Sequence, residues 1–262
     1  MGYGKMIKIF GVGNSFTEDA HAFLSELCAT DGIEIKTVCP FIGGCSFKRH
    51  CNHIENDTPY ELIVNGRFTG EKVSFMQALQ MEDWDIVTFN QGSVQSGRPF
   101  TYYPYLHNLK ELVLKQSPRA KLYLYQTWSY EEDSTHPYYY VYHSNQKEMW
   151  IRSRDSYQLA SVMEGLPVIP VGDVIQDLRE NAPEFDVQNG GIRLTRDGYH
   201  LNMLYGRYAA ALTFYAALFS GNVQNHPFIP TVPGEQTDEN LLKIIQNAVS
   251  KITNRDFAEP EE

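Results

Sequence analysis

No stretch of this 262-residue chain reaches the roughly 18 consecutive apolar residues that a membrane-spanning helix needs, so a helical membrane protein is excluded. Basic residues are scarce. Lys and Arg total 22 against 32 Asp and Glu, a formal net charge of -10, and a polyphosphate such as nucleic acid would be repelled rather than gathered. Cysteine is sparse as well: Cys28, Cys39, Cys45 and Cys51 all fall in the first quarter and form no Cys-x-x-Cys pair. A chain of this length has core enough to do without a disulfide staple. His50 and His53 have no third ligand group at usable spacing, so no metal is expected, and Arg49–His53 reads as an exposed helical turn. The glycine patterns of nucleotide sites are missing too. Phe16 stands where Gly11-x-Gly13 would need its third glycine, no acidic residue closes the second strand, and no Walker-type lysine motif occurs. The Gly-x-Ser-x-Gly elbow fails at Thr17. Met1–Met6 lead straight into an apolar run with no signal-peptide core, so the chain as given is expected to be soluble and cytoplasmic, or extracytoplasmic if a leader has been removed.

What is present is alternation. Apolar runs at Ile7–Phe10, Ile33–Val38, Ile86–Phe89, Leu122–Tyr125 and Pro167–Pro170 are separated by helical patterns, which predicts a central, mainly parallel five-stranded sheet covered on both faces. Helices are expected at 17–31, 47–55, 75–82, 103–116, 137–164, 173–180, 203–219 and 239–252, and residues 1–262 suit a single domain. Tyr60–Gly66 followed by Glu71–Ser74 reads as a β-hairpin insertion at about 58–75, turning on Asn65-Gly66, a pair that adopts positive φ readily. In such a fold right-handed crossovers bring the loops after the strands to one edge.

The stretch Ile7–Thr17 runs an apolar strand into Gly13-Asn14-Ser15 and then a helix, placing the Ser15 hydroxyl at a strand's carboxyl end. Far downstream, Thr195–Asn202 supplies Asp197 and His200. A serine, a histidine and a carboxylate are the parts of a nucleophilic hydrolase. Plainer readings exist for each: Ser15 or Thr17 as a helix N-cap, and Asp197-x-x-His200 as a turn capping the helix that begins near Asn202.

Taken in order, these segments resemble the motifs of the SGNH, or GDSL-type, hydrolase superfamily. Gly13-Asn14-Ser15 matches its first motif, Gly44 within Ile42–Ser46 the glycine of its second, and Asp197–His200 its last. The resemblance implies a three-layer α/β/α, flavodoxin-like sandwich and a cofactor-free esterase. Ser15 would be the nucleophile, His200 the base and Asp197 its orienting carboxylate. The oxyanion hole would combine the Ser15 and Gly44 N–H groups with a side-chain amide. The third motif departs from the pattern: where Gly-x-Asn-Asp is expected, the chain reads Asn90-Gln91-Gly92-Ser93-Val94-Gln95, with the usual asparagine position near Val94. Gln91 is expected to supply the amide, as in related carbohydrate-active esterases that use a Gln-Gly pair, the plainer alternative being that it holds the loop. The wording Phe89–Ser93 with Gly13–Phe16 resembles a poorly characterised branch of the superfamily.

Aromatic residues crowd the segment after the fourth strand. Trp128 and Tyr130 stand past the strand end and, with Asn90, are expected to bind substrate, whereas Tyr138–Tyr142 are expected to pack the start of the long helix. The substrate implied is a small O-acyl ester, such as an acetyl group on a carbohydrate. Two alternatives remain open: a thioesterase or lipase-like acyl hydrolase, and a non-catalytic carbohydrate-binding protein on the same scaffold. A thiol nucleophile at Cys45 would lack a partner as well placed as that of Ser15.

Overall fold

The computed structural model describes residues 5–256; Met1–Gly4, part of the lead-in on which the leader reading rests, lie outside them. In chain order its elements are β1 (Ile7–Val12), α1 (Ser15–His21), α2 (Leu24–Thr30), β2 (Ile35–Phe41), α3 (Phe47–Glu55), β3 (Tyr60–Val64), β4 (Arg67–Val73), α4 (Phe75–Leu79), β5 (Ile86–Phe89), α5 (Tyr105–Gln116), β6 (Lys121–Tyr125), α6 (Gln146–Glu164), β7 (Val168–Ile169), α7 (Val171–Asn181), α8 (Tyr205–Phe219) and α9 (Glu239–Asp256).

Successive strand residues point to opposite faces of a sheet, and this splits the interior into two cores. Ile9 and Ile86 enter one with the apolar faces of α1, α2, α7, α8 and α9, while Phe10 and Val87 enter the other with residues of α3, α4 and α5. The sheet order is β4-β3-β2-β1-β5-β6-β7, with β2, β1, β5, β6 and β7 parallel. The five expected strands are therefore present as one parallel sheet between two helical layers. α8 is buried almost all round because α9 covers its outer side, so it reads as apolar throughout rather than amphipathic. Among the described residues no helix is long and apolar enough to cross a membrane.

The hairpin forms where expected but extends the sheet to seven strands, pairing antiparallel with β2. Asn65 makes the joint: its side-chain oxygen accepts the Thr37 N–H at 2.8 Å and its own N–H donates to the Thr37 carbonyl at 2.9 Å. The turn needs Gly66, which has φ +70 and packs so tightly on α1 that a Cβ there would come within 2.7 Å of Ala22 Cα.

Two helices depart from expectation. The one read as 17–31 breaks at Ala22-Phe23 into α1 and α2. The one read as 137–164 starts only at Gln146, because His143 and Ser144 hold left-handed φ values of 53 and 51 and Asn145 then caps α6 by accepting the Glu148 N–H.

Candidate active site

Parallel strands deliver the loops after β1, β2 and β5 to one edge of the sheet, and Asn14 stitches them together. It is extended, with φ -152, and caps α1 by accepting the Phe16 N–H at 3.1 Å. Its side-chain nitrogen donates to the Cys45 carbonyl at 3.0 Å and to the Gln91 carbonyl at 3.3 Å. The cap is thus Asn14, which leaves the Ser15 hydroxyl, in the first turn, free for another partner. Thr17 is not the cap either; its hydroxyl donates to Asn90 Oδ1 at 2.5 Å. Gly13 must be glycine, since an added Cβ would collide with Asn90 Oδ1 and Thr17 Oγ1.

His50 supports the same turn from below. The expectation of an exposed turn here is corrected: His50 is fully buried in α3, with Nε2 2.9 Å from the Gly13 carbonyl and Nδ1 3.0 Å from the Tyr60 hydroxyl. Burial pushes the imidazole down to about 3, so it is neutral. Since a carbonyl only accepts, Nε2 carries the proton and Nδ1 accepts from Tyr60.

The structure brings Ser15, His200 and Asp197 together in one hydrogen-bonded chain. Ser15 Oγ lies 2.9 Å from His200 Nε2, and His200 Nδ1 lies 2.6 Å from Asp197 Oδ2. Asp197 Oδ1 also accepts the backbone N–H groups of Tyr199 at 3.1 Å and His200 at 2.7 Å. Burial alone would raise the Asp197 carboxyl, but these hydrogen bonds outweigh it and hold the group below the ordinary carboxylate value. The Asp-x-x-His turn closes on itself, and a different residue, Asn202, holds the start of α8 by accepting the Gly206 N–H at 2.8 Å.

One residue that sequence reading missed locks this arrangement. Asp19, fully buried on α1, accepts Arg196 Nη1 at 2.8 Å, Arg207 Nε at 2.9 Å and the Leu201 N–H at 2.9 Å. It ties the helix bearing Ser15 to the loop bearing His200. A signal was available: Asp19 sits with Phe16, Ala20 and Phe23 on the apolar i, i+3, i+4, i+7 face, where a carboxylate needs partners.

Trp128 works on the same joint. Its ring stacks on Phe16 at 4.1 Å and 3°, and its Nε1 donates to the Tyr199 carbonyl at 2.7 Å. This corrects the expectation that Trp128 binds substrate, because it is fully buried. Tyr130 is corrected likewise: it is buried, with its hydroxyl 2.7 Å from Ser93 Oγ. Asn90 is buried between Thr17 and Asn14 and has no open face for a ligand.

Gln91 does not aim its amide at the cleft. Its oxygen accepts the Phe47 and Gly92 N–H groups, both at 2.9 Å, and its nitrogen donates to the Thr101 carbonyl at 3.2 Å and hydroxyl at 3.3 Å. With both ends engaged and the side chain fully buried, it holds the loop. Among the described residues, neither the Ser15 nor the Gly44 backbone N–H donates a hydrogen bond within the chain. Both groups are open at this edge, Ser15 half-buried and Gly44 exposed. Burial drives the Cys45 thiol up to about 12, so the neighbouring sulfur is no thiolate. Among the described residues, a cavity of about 680 Å³ beside Arg179 and one of about 720 Å³ beside Phe100 are lined by neither Ser15 nor His200.

A candidate SGNH hydrolase from Slackia heliotrinireducens superposes with TM-score 0.55 at 20% identity, covering 82% of this chain and 100% of that one. An acetyl xylan esterase superposes with TM-score 0.53 at 17% identity, covering 81% and 100%. The fold is therefore that of the SGNH hydrolases. No curated protein matches the chain in sequence. A DUF4886 protein from Bacteroides uniformis shares 31% identity and TM-score 0.84, covering 97% of this chain and 98% of that one. A family model described as "Domain of unknown function (DUF4886)" matches residues 8–248, and the chain belongs to that family.

Proposed function

We propose that this chain is a serine ester hydrolase that removes small O-acyl groups through an acyl-enzyme. The observation that carries the reading is the hydrogen-bonded chain from Ser15 through His200 to Asp197, with steps of 2.9 and 2.6 Å. Ser15 Oγ attacks the ester carbonyl while His200 Nε2 takes its proton, and Asp197 stabilises the imidazolium and fixes its tautomer. The tetrahedral oxyanion accepts from the Ser15 and Gly44 N–H groups, donors already fixed by the first turn of α1 and the loop after β2. Collapse expels the alcohol, which takes its proton from His200. Water, deprotonated by His200, then attacks the acyl-enzyme and releases the carboxylic acid. No step calls for a cofactor.

The preference for a short acyl group rests on how open the site is. Gly43 and Gly44 are exposed, and the cavities of about 680 and 720 Å³ among the described residues lie away from Ser15. Hydrolysis of p-nitrophenyl acetate, butyrate and octanoate by the wild-type chain and by Ser15→Ala tests this. The expected result is a kcat/KM that falls along the series and vanishes in the variant. Undiminished hydrolysis by Ser15→Ala would remove Ser15 from the mechanism, and a preference for octanoate would remove the short-acyl reading.

A further inference from the structure

A row of rings leads away from His200 across the surface. The His200 and Tyr199 ring centroids are 4.5 Å apart, Tyr199 and His136 4.9 Å, His136 and Tyr138 6.1 Å, and Tyr138 and Tyr140 6.4 Å. The outer end is open to solvent: Tyr138 is 54% and Tyr140 66% exposed. Local geometry produces this. The 3₁₀ turn Tyr139–Tyr142 has three residues per turn, which puts Tyr139 and Tyr142 on one side, where both are buried, and leaves Tyr138 and Tyr140 outside. The expectation that all of Tyr138–Tyr142 pack the long helix thus holds for its inward pair only.

At its far end Tyr140 borders the trench of about 720 Å³, together with Phe100, Arg98, Arg152 and Asp155. Phe100 is 70% exposed, with the Arg98 guanidinium 5.0 Å from its ring centroid. Polar groups therefore flank the flat apolar faces, His136 between Tyr199 and Tyr138, and Arg98, Arg152 and Asp155 beyond Tyr140. His136 adds a donor near the triad: its Nδ1 accepts the Tyr138 N–H at 3.3 Å, so the neutral ring carries its proton on Nε2. Burial, and after it the nearby His200, lower the His136 pKa and keep that ring neutral.

A surface of successive rings flanked by hydrogen-bonding groups suits a chain of sugars. Each sugar ring has an apolar C–H face that stacks on an aromatic ring and a rim of hydroxyls that pairs with His, Arg or Asp. An acyl chain would instead require continuous enclosed apolar surface. We propose that this row is a glycan track, on which successive sugars of an O-acylated oligosaccharide stack against Tyr199, Tyr138 and Tyr140 and present one acylated hydroxyl to Ser15. This deepens, and rests on, the ester-hydrolase reading.

The test uses acetylated xylo-, manno- and galacturono-oligosaccharides of two and six residues, with wild type and a Tyr138→Ala/Tyr140→Ala variant. In at least one series the wild-type kcat/KM should rise about tenfold from dimer to hexamer, through KM, which corresponds to roughly 1.4 kcal/mol. In the variant that ratio should fall to near one, and because each protein supplies its own dimer reference, impaired folding cannot mimic the result. Absence of a length gain in every series, or its survival in the variant, overturns the track. So does a concentration-dependent dimer of the wild type that the same substitutions abolish, which would assign the rings to a second copy of the chain. Failure of the wild type to hydrolyse p-nitrophenyl acetate counts against the ester-hydrolase reading alone. The track is then judged by calorimetry with the deacetylated hexamers: binding lost in the variant sustains it, and binding to none overturns it.

Discussion

Replacing Asp19 by alanine should loosen the fold and the site together. The carboxylate is fully buried and accepts from Arg196, Arg207 and the Leu201 N–H at 2.8 to 2.9 Å. Hydrogen bonds to charged groups contribute roughly 1.5–3 kcal/mol each, yet the three do not simply add. The Arg196 side chain is 31% exposed and can regain water, and Arg207, at 12%, keeps Glu18 at 3.0 Å as its remaining carboxylate partner. Removing one partner of a buried ion pair costs about 3–5 kcal/mol, and the lower end, about 3, is expected here because Arg196 regains water and Arg207 keeps Glu18, still a large share of the roughly 5–15 that holds a typical domain. Urea unfolding reads this loss directly. Under conditions where the variant is still folded, phosphonate labelling of Ser15 should slow about tenfold, because the loop that carries His200 is no longer pinned to α1 and a small misplacement is costly. Asp19→Asn keeps an acceptor for Leu201 but leaves Arg196 without its carboxylate and Arg207 with Glu18 alone, and should fall between. A stability within about 1 kcal/mol of wild type, less than one ordinary charged hydrogen bond, combined with an unchanged labelling rate, would refute the reasoning.

Three further outcomes follow from the same geometry. Gln91→Ala should cost about 1–3 kcal/mol for each buried donor it leaves unpaired, Phe47 and Gly92 N–H, while the folded fraction keeps its turnover within a few-fold; a hundredfold loss of kcat would instead mark an oxyanion donor. Asp197→Asn and His200→Ala should each reduce hydrolysis severely, and the double variant should be little worse than the more damaging single one; rates that multiply would show independent roles. His21 is fully buried, has no hydrogen-bond partner for either ring nitrogen among the described residues, and is pushed down to about 4 by burial. Its folded pKa lies below the unfolded value, so as pH falls below about 6.5 the unfolded chain takes up a proton that the folded chain refuses, and stability declines until about pH 4. At pH 5 this amounts to about 2 kcal/mol, and His21→Leu should lose that much less stability between pH 7 and pH 5 than wild type does; an equal loss in both proteins would contradict it.

Much of this was legible in the sequence, for identifiable reasons. The alternating apolar runs give the parallel sheet, and parallel strands leave no choice but to gather Ser15, Gly44 and the Asn90–Gln95 loop at one edge. Asp197 and His200 lie on one turn, so their pairing is local. What stayed hidden was long-range or ambiguous in chemistry. Asp19 meets Arg196 and Arg207 across more than 170 residues, and nothing local in the sequence names those partners. Gln91 offers the same amide whether it stabilises an oxyanion or knits Phe47 to Thr101, and only the fold decides. Trp128 follows a strand end in either case; that it turns inward depends on Phe16 arriving from α1 to stack on it. The hairpin joins the sheet because Asn65 finds Thr37, a pairing that the turn sequence alone does not contain.

The most direct measurement of the central claim is the site of covalent labelling. Treating the chain with a fluorophosphonate, digesting it and locating the adduct by mass spectrometry should place one phosphonyl group on Ser15, and none after substitution His200→Ala, since His200 lies 2.9 Å from that hydroxyl and is the base in the proposed mechanism. An adduct on Ser93 or Ser46, or a Ser15 that stays unmodified while its hydrogen-bonded chain to His200 and Asp197 is intact, would contradict the account.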